Sequence, residues 1–179
     1  MNAPALSDSQ IYDKMDHKVN IMTYSELHKF KNIDEVLGPY RRACLLLSSK
    51  PNYGHWVCLF VNPKDKKLYF FNSYGDLEGQ YAGYPDYYLT YVDKQFRDKS
   101  FQDKPYLSNL LVNSKYELDY NPVDYQKMGK NIKTCGYHCI VRMMHGDLTD
   151  NQYKQFIDSN CRNMRCDPDD FVVMLTECI

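Results

Sequence analysis

The sequence lacks most of what would declare a function at a glance. It has no charge excess, with 22 basic against 23 acidic residues among 179, so no strong field marks a binder of nucleic acid or of an anionic membrane. It has no apolar run as long as a membrane span. Residues 1–16 are polar, without the apolar centre of a secretory signal. No segment repeats, and no Gly- or Ser-rich linker divides the chain, so its length fits one domain with a sizeable core. A disulfide pattern is missing too. The seven cysteines are odd in number and sit singly in apolar stretches such as RRACLLL and HWVCLF, where a free thiol packs as a small hydrophobe. The expectation is an intracellular protein kept in a reducing compartment, with no membrane partner and no cofactor. What the sequence does have in abundance is tyrosine, 17 residues, a side chain that suits grooves and interfaces as well as cores.

Local signals place the elements. Residues 1–20 read as a polar, poorly ordered lead-in, and 21–179 as a single domain. Thr23 followed by Glu26 forms a capping box opening a short helix. ACLLLS reads as a buried strand. GHWVCLF and LYFFNSYG flank NPKDKK as a β-hairpin whose second strand ends near Asn72. Glycines and prolines between 75 and 105 predict loops around one helix near 87–96, and KYELDYN reads as a further strand. After the loop NPVDYQKMGKNIKT, the run CGYHCIVRMMHG reads as a helix stopping at Gly146. Thr149 with Gln152 caps the next helix. Asp167, with Pro168 at the first helical position, caps the last. These pieces predict an α+β fold, a central and mostly antiparallel sheet flanked by helices.

Cys135 opens the helix of TCGYHCIVR. There, unpaired N–H groups and the helix dipole favour a thiolate, and Gly136 removes bulk beside the sulfur. A cysteine nucleophile needs a base. His17 lies in the lead-in, His28 on a short surface helix and His145 at a helix end. His138 shares the helix of Cys135 but leaves no room for an orienting third group. His55 opens a strand beside Trp56, and the hairpin brings Asn72 to it, a pairing that fixes one imidazole tautomer in Cys-His-Asn sites. The residues equally allow a hairpin-end histidine beside a turn asparagine. They also allow zinc: Cys135, Cys139 and His145 run C-x3-C-x5-H, with Cys161 and Cys166 downstream, although ligands inside one apolar helix are unusual for a structural site.

Taken in order, GHW, the amide in FFNSYG, a glutamine and then TCG at a helix start resemble the adenovirus-type and SUMO-protease-like cysteine peptidases. TCGYHCIVR is most similar to the capsid-maturation proteases of virophages and large DNA viruses. The likeness spans about residues 54–142. It implies a papain-like, adenain-like architecture with Cys135 as nucleophile, His55 as general base and Asn72 as orienting residue. It implies Gln126 as oxyanion donor, with Asn131 as the second choice. Asp76 would stand in for Asn72, since relatives commonly carry an acid there. Trp56, Gly136 and Tyr137 would border the substrate, and residues 81–91 would line part of its groove.

The implied substrate is a capsid or virion precursor cut beside glycine, at the viral assembly site in the host or inside the virion. A short activating peptide is an implied partner; the balanced charge gives DNA activation no support. Two other readings remain open on the residues: a deubiquitinase- or deSUMOylase-like protease with the same site, and a non-catalytic interaction domain, zinc-stabilised or not.

Overall fold

The computed structural model describes residues 3–75 and 86–179, with only the backbone of Tyr87. A five-stranded sheet in the order β1-β2-β3-β4-β5 forms its centre. The strands are β1 Asn20–Thr23, β2 Arg42–Lys50, β3 Tyr53–Val61, β4 Leu68–Phe71 and β5 Leu118–Tyr120. Strands β2, β3 and β4 form an antiparallel meander that contains the predicted β3–β4 hairpin, with Cys44 opposite Cys58 and Cys58 opposite Phe71. Both edge strands, however, run parallel to their neighbours, so the sheet is mixed rather than mostly antiparallel. The physical reason is the length of the connections. A 3₁₀ turn at Tyr24–Lys29 and helix α2, Ile33–Leu37, separate β1 from β2. Between β4 and β5 the chain carries α3, Lys94–Lys99, and α4, Tyr106–Val112. Tight turns force antiparallel neighbours; crossovers of this size allow parallel ones.

Both faces of the sheet are covered, which explains why β3 is an almost continuous apolar run. Trp56, Cys58 and Phe60 join one core cluster with residues of α1, Asp8–Lys14, α5, Cys135–Met144, α6, Asp150–Met164, and α7, Pro168–Glu177. Val57 and Leu59 alternate into the opposite cluster, with the 3₁₀ turn, α2 and α4. Arg142 of α5 is fully buried in the first cluster. Its guanidinium lies 4.5 Å from the Phe60 ring centre and 4.6 Å from that of Tyr153, and it bonds Asp150 and two carbonyls. Among the described residues no helix is long and apolar enough to cross a membrane.

Three local expectations need correction. Residues 3–20 are not a loose lead-in: Ser7 and Gln10 form a capping box on α1, and Leu6, Ile11, Met15 and Val19 are core residues. The apolar positions are too sparse for a periodic signal, and tertiary packing supplies the rest. The predicted helix over 87–96 divides into a 3₁₀ turn, Tyr87–Tyr91, and α3, because Asp93 caps a new start through Phe96 N. The helix α5 ends at Met144 with His145 as its C-cap, and Gly146 lies one residue beyond that cap.

Candidate active site

The start of β3, the turn after β4 and the N-terminus of α5 meet at a cleft of about 650 Å³. Its walls include Gly54, His55, Trp56, Tyr74, Tyr88, Gln126 and Cys135. Residues 80 positions apart in sequence, His55 and Cys135, therefore reach one space. The backbone N–H of Trp56 faces the Cys135 thiol closely enough to favour its charged form.

The tautomer of His55 follows from its neighbours. Asn72 Oδ1 lies 2.8 Å from His55 Nε2 and also accepts the backbone N–H of Tyr74 at 3.0 Å. An atom that accepts from a backbone N–H is the amide oxygen, so Nε2 is the donor, and Nδ1 of the neutral ring keeps the lone pair that a base requires. Tyr74 stacks on the imidazole with ring centres 4.4 Å apart, and Tyr88 packs against it at 4.7 Å.

The same turn builds the second half of the site. Ser73, fully buried, donates its hydroxyl to Gln126 Oε1 at 2.7 Å, and its carbonyl accepts the N–H groups of Tyr125 and Gln126. With Oε1 occupied, the amide NH₂ of Gln126 is the donor at the cleft, one of its hydrogens directed at the Tyr74 hydroxyl oxygen at 3.5 Å. Gly75 closes the turn at φ +63°, where a Cβ would stand 2.4 Å from the Val123 carbonyl carbon. Two consecutive residues, Asn72 and Ser73, thus orient His55 and Gln126. Ser73 was missed from sequence; its only signal was adjacency to Asn72 in FFNSYG.

A carboxylate on α7 completes the frame. Buried Asp169 accepts the Thr134 hydroxyl, His138 Nε2 at 3.1 Å and the backbone N–H of Lys127 at 3.0 Å. Burial alone would raise its pKa, but these donors outweigh burial and hold it below the usual carboxylate value. His138 is therefore a packing and anchoring residue. Sequence carried a trace of Asp169: it shares a helical face with Val172, Val173 and Thr176, all buried.

Ionisation departs from the expectation of a preformed thiolate. Burial pushes the Cys135 thiol up to about 11, only partly opposed by the N–H groups of Trp56 and Gly136. Burial also pulls His55 down to about 4, against the support of Asn72. Desolvation outweighs the helix N-terminus here. At neutral pH the resting site holds a thiol and a neutral imidazole.

The remaining candidates separate clearly. Trp56 lines the cleft and donates its indole N–H to Leu6 O at 3.0 Å. Gly136 and Tyr137 are buried and lie outside the cleft lining. A Cβ on Gly136 would meet Leu6 at 3.2 Å and Trp56 at 3.4 Å, so its small size serves the packing of the N-terminal segment. Asn131 is exposed and off the cleft. Asp76 and residues 81–85 lie outside the described residues; of the predicted 81–91 groove segment, Tyr88 does line the cleft. Cys139 packs beside Cys44 and Cys58, one helical turn beyond Cys135. Among the described residues no three His, Cys, Asp or Glu side chains are grouped to hold a metal ion.

The chain is 41% identical over 172 residues to "Uncharacterized protein V9" of Sputnik virophage, an overlap covering 96% of this chain and 94% of that relative. It belongs to that family. The match takes in the N-terminal helix as well as the cleft, so the family shares nearly the whole chain. No protein-family model matches the sequence. No solved structure matches it.

Proposed function

We propose that this chain is a cysteine endopeptidase, of papain-like and adenain-like architecture, that processes capsid or other virion precursor proteins. The observation that carries the proposal is the convergence of Cys135, His55 and Gln126 on one cleft, with His55 held by Asn72 in the tautomer that leaves Nδ1 basic. The kinship with a virophage protein favours a virion substrate over a host ubiquitin-like tail.

The chemistry starts from the neutral pair. As Cys135 Sγ attacks the peptide carbonyl carbon, its proton passes to His55 Nδ1. The carbonyl π electrons move onto oxygen, where the Gln126 amide and the Cys135 N–H donate to the oxyanion. Collapse expels the amine, which takes the proton from the imidazolium. Water, deprotonated by His55, then attacks the thioester and releases the acid and the thiol. General-base assistance of this kind contributes about 10²–10⁴-fold. An amide at position 72 orients the imidazole without adding charge, in keeping with a resting site that holds no ion pair.

The test compares iodoacetamide labelling of Cys135 with that of exposed Cys178 by peptide mass spectrometry, together with cleavage of the co-expressed viral capsid precursor. Cys44 and Cys58 are buried and would make poor references. Labelling of Cys135 at pH 7 that is slowed at least about tenfold in His55→Ala while that of Cys178 is unchanged, and precursor cleavage abolished in Cys135→Ser, are expected. Labelling of Cys135 indifferent to His55 at every pH, with the precursor uncut, would remove the protease reading.

A further inference from the structure

We infer that Asp169 is a positioning residue for the oxyanion site, setting the distance between the Gln126 donor and the Cys135 nucleophile through one carboxylate. The inference rests on the protease reading above. One oxygen of Asp169 takes the Thr134 hydroxyl and His138 Nε2; the other takes the Lys127 backbone N–H. Thr134 is the residue immediately before Cys135, and Lys127 the residue immediately after Gln126. A single side chain therefore holds the chain on both sides of the cleft, each one residue from a reacting group.

The other tie from Lys127 to α7, its ammonium on Asp167 at 2.6 Å, is solvent-exposed and does not reach α5. Thr134 stands at the N-cap of α5 yet makes no side-chain bond to the helix; its hydroxyl is committed outward, to α7. The loop from 127 to 133 is largely exposed and is closed within itself by a turn from Ile132 N to Gly129 O, so it does not fix the Gln126–Cys135 spacing. Gln126 is gripped from the other side by Ser73, which sets its amide orientation and not its distance from α5. Asp169 itself is rigid, since it lies in the first turn of α7 under the Asp167 cap. The carboxylate has acceptor capacity for all three donors; an asparagine there either sets its NH₂ against the Lys127 N–H, donor to donor, or forces Thr134 and His138 to turn from donors into acceptors.

Oxyanion stabilisation depends on donors placed to within tenths of an ångström, and loss of one donor typically costs about 10²–10³-fold. Alkylation by iodoacetamide forms no oxyanion, whereas acylation by p-nitrophenyl acetate does. The two probes on the whole chain separate the donor's position from the thiol's reactivity. In Asp169→Asn, acylation of Cys135 is expected to fall about tenfold or more while alkylation changes by less than about threefold. In the Gln126→Ala background, adding Asp169→Asn is expected to cost little further, because residues acting through one another are not additive. A merely structural role would lower both probes together, or would add in full to Gln126→Ala, and either result overturns the inference with the protease reading intact.

Should Asp169→Asn fold poorly, Thr134→Val removes one donor at constant volume. It should show the same selective loss of acylation, restored in Thr134→Ser; parallel loss of both probes, or no loss, overturns the inference. If Cys135 of the unmodified protein is indifferent to His55 in both probes, the protease reading falls and the inference with it.

Discussion

Replacing Asn72 by aspartate tests the account of the histidine most directly. The amide oxygen of Asn72 already takes two donors, His55 Nε2–H at 2.8 Å and Tyr74 N–H at 3.0 Å, and a carboxylate oxygen accepts both equally well. Geometry is therefore conserved and only charge changes. His55 sits at about 4 because burial disfavours imidazolium. A unit charge about 4 Å away at an effective dielectric constant of about 20 is worth about 4 kcal/mol, or about 3 pKa units at 1.36 kcal/mol each. Part of that is spent desolvating the new carboxylate, so a rise of about 1–3 is expected. In Asn72→Asp the imidazole then titrates between about 5 and 7, and the site moves toward the thiolate–imidazolium pair that Asn72 withholds. The His55 ring protons, followed by NMR from pH 3.5 to 8, read this out. Labelling of Cys135 at pH 6 should rise in parallel. An imidazole still titrating near 4 in Asn72→Asp would refute the argument, because it would mean that the charge at 72 does not act on the ring.

Further outcomes follow from the same structure. His55 has a lowered folded pKa of about 4 against about 6.5 unfolded. Its contribution to stability is therefore complete above about pH 6.5 and is lost as pH falls toward 4. This slope, worth at most on the order of 3 kcal/mol, should vanish from urea melts of His55→Gln; a slope unchanged in that variant would contradict it. Ile11→Ala should cost about 2–5 kcal/mol, since Ile11 is fully buried between α1 and α5. A cost below about 1 kcal/mol in chemical denaturation would return the N-terminal segment to a peripheral role. Gly54→Ala places a Cβ 2.1 Å from the Leu47 carbonyl oxygen, backbone that a rotamer change cannot relieve. Overpacking of this kind costs about 1–3 kcal/mol, and it should also slow Cys135 labelling by displacing the adjacent His55.

Much of the fold was legible because its signals are local. Capping boxes at Thr23 and Thr149, the Asp167–Pro168 start and the β3–β4 hairpin each depend on residues a few positions apart, and each formed where the sequence placed it. The hairpin also explains why His55 and Asn72 could be paired in advance: antiparallel register carries the end of β4 back toward the start of β3. The gathering of Cys135 and Gln126 into the same cleft was reached by resemblance and not by any spacing within the chain.

Other features left little or no local trace. The parallel edges of the sheet come from crossovers whose course a linear pattern does not encode. The N-terminal helix owes its order to Leu6, Ile11 and Met15 finding α5 and Trp56, contacts made more than 40 positions away. Ser73 and Asp169 acquire their roles from partners 53 and 35 positions distant. Ionisation was decided the same way. The sequence by itself determined a cysteine at a helix start, whose dipole favours thiolate, and a histidine beside an asparagine. Only the tertiary structure buried both groups, and desolvation, which grows with every neighbour that excludes water, outweighed the helix terminus and left them neutral.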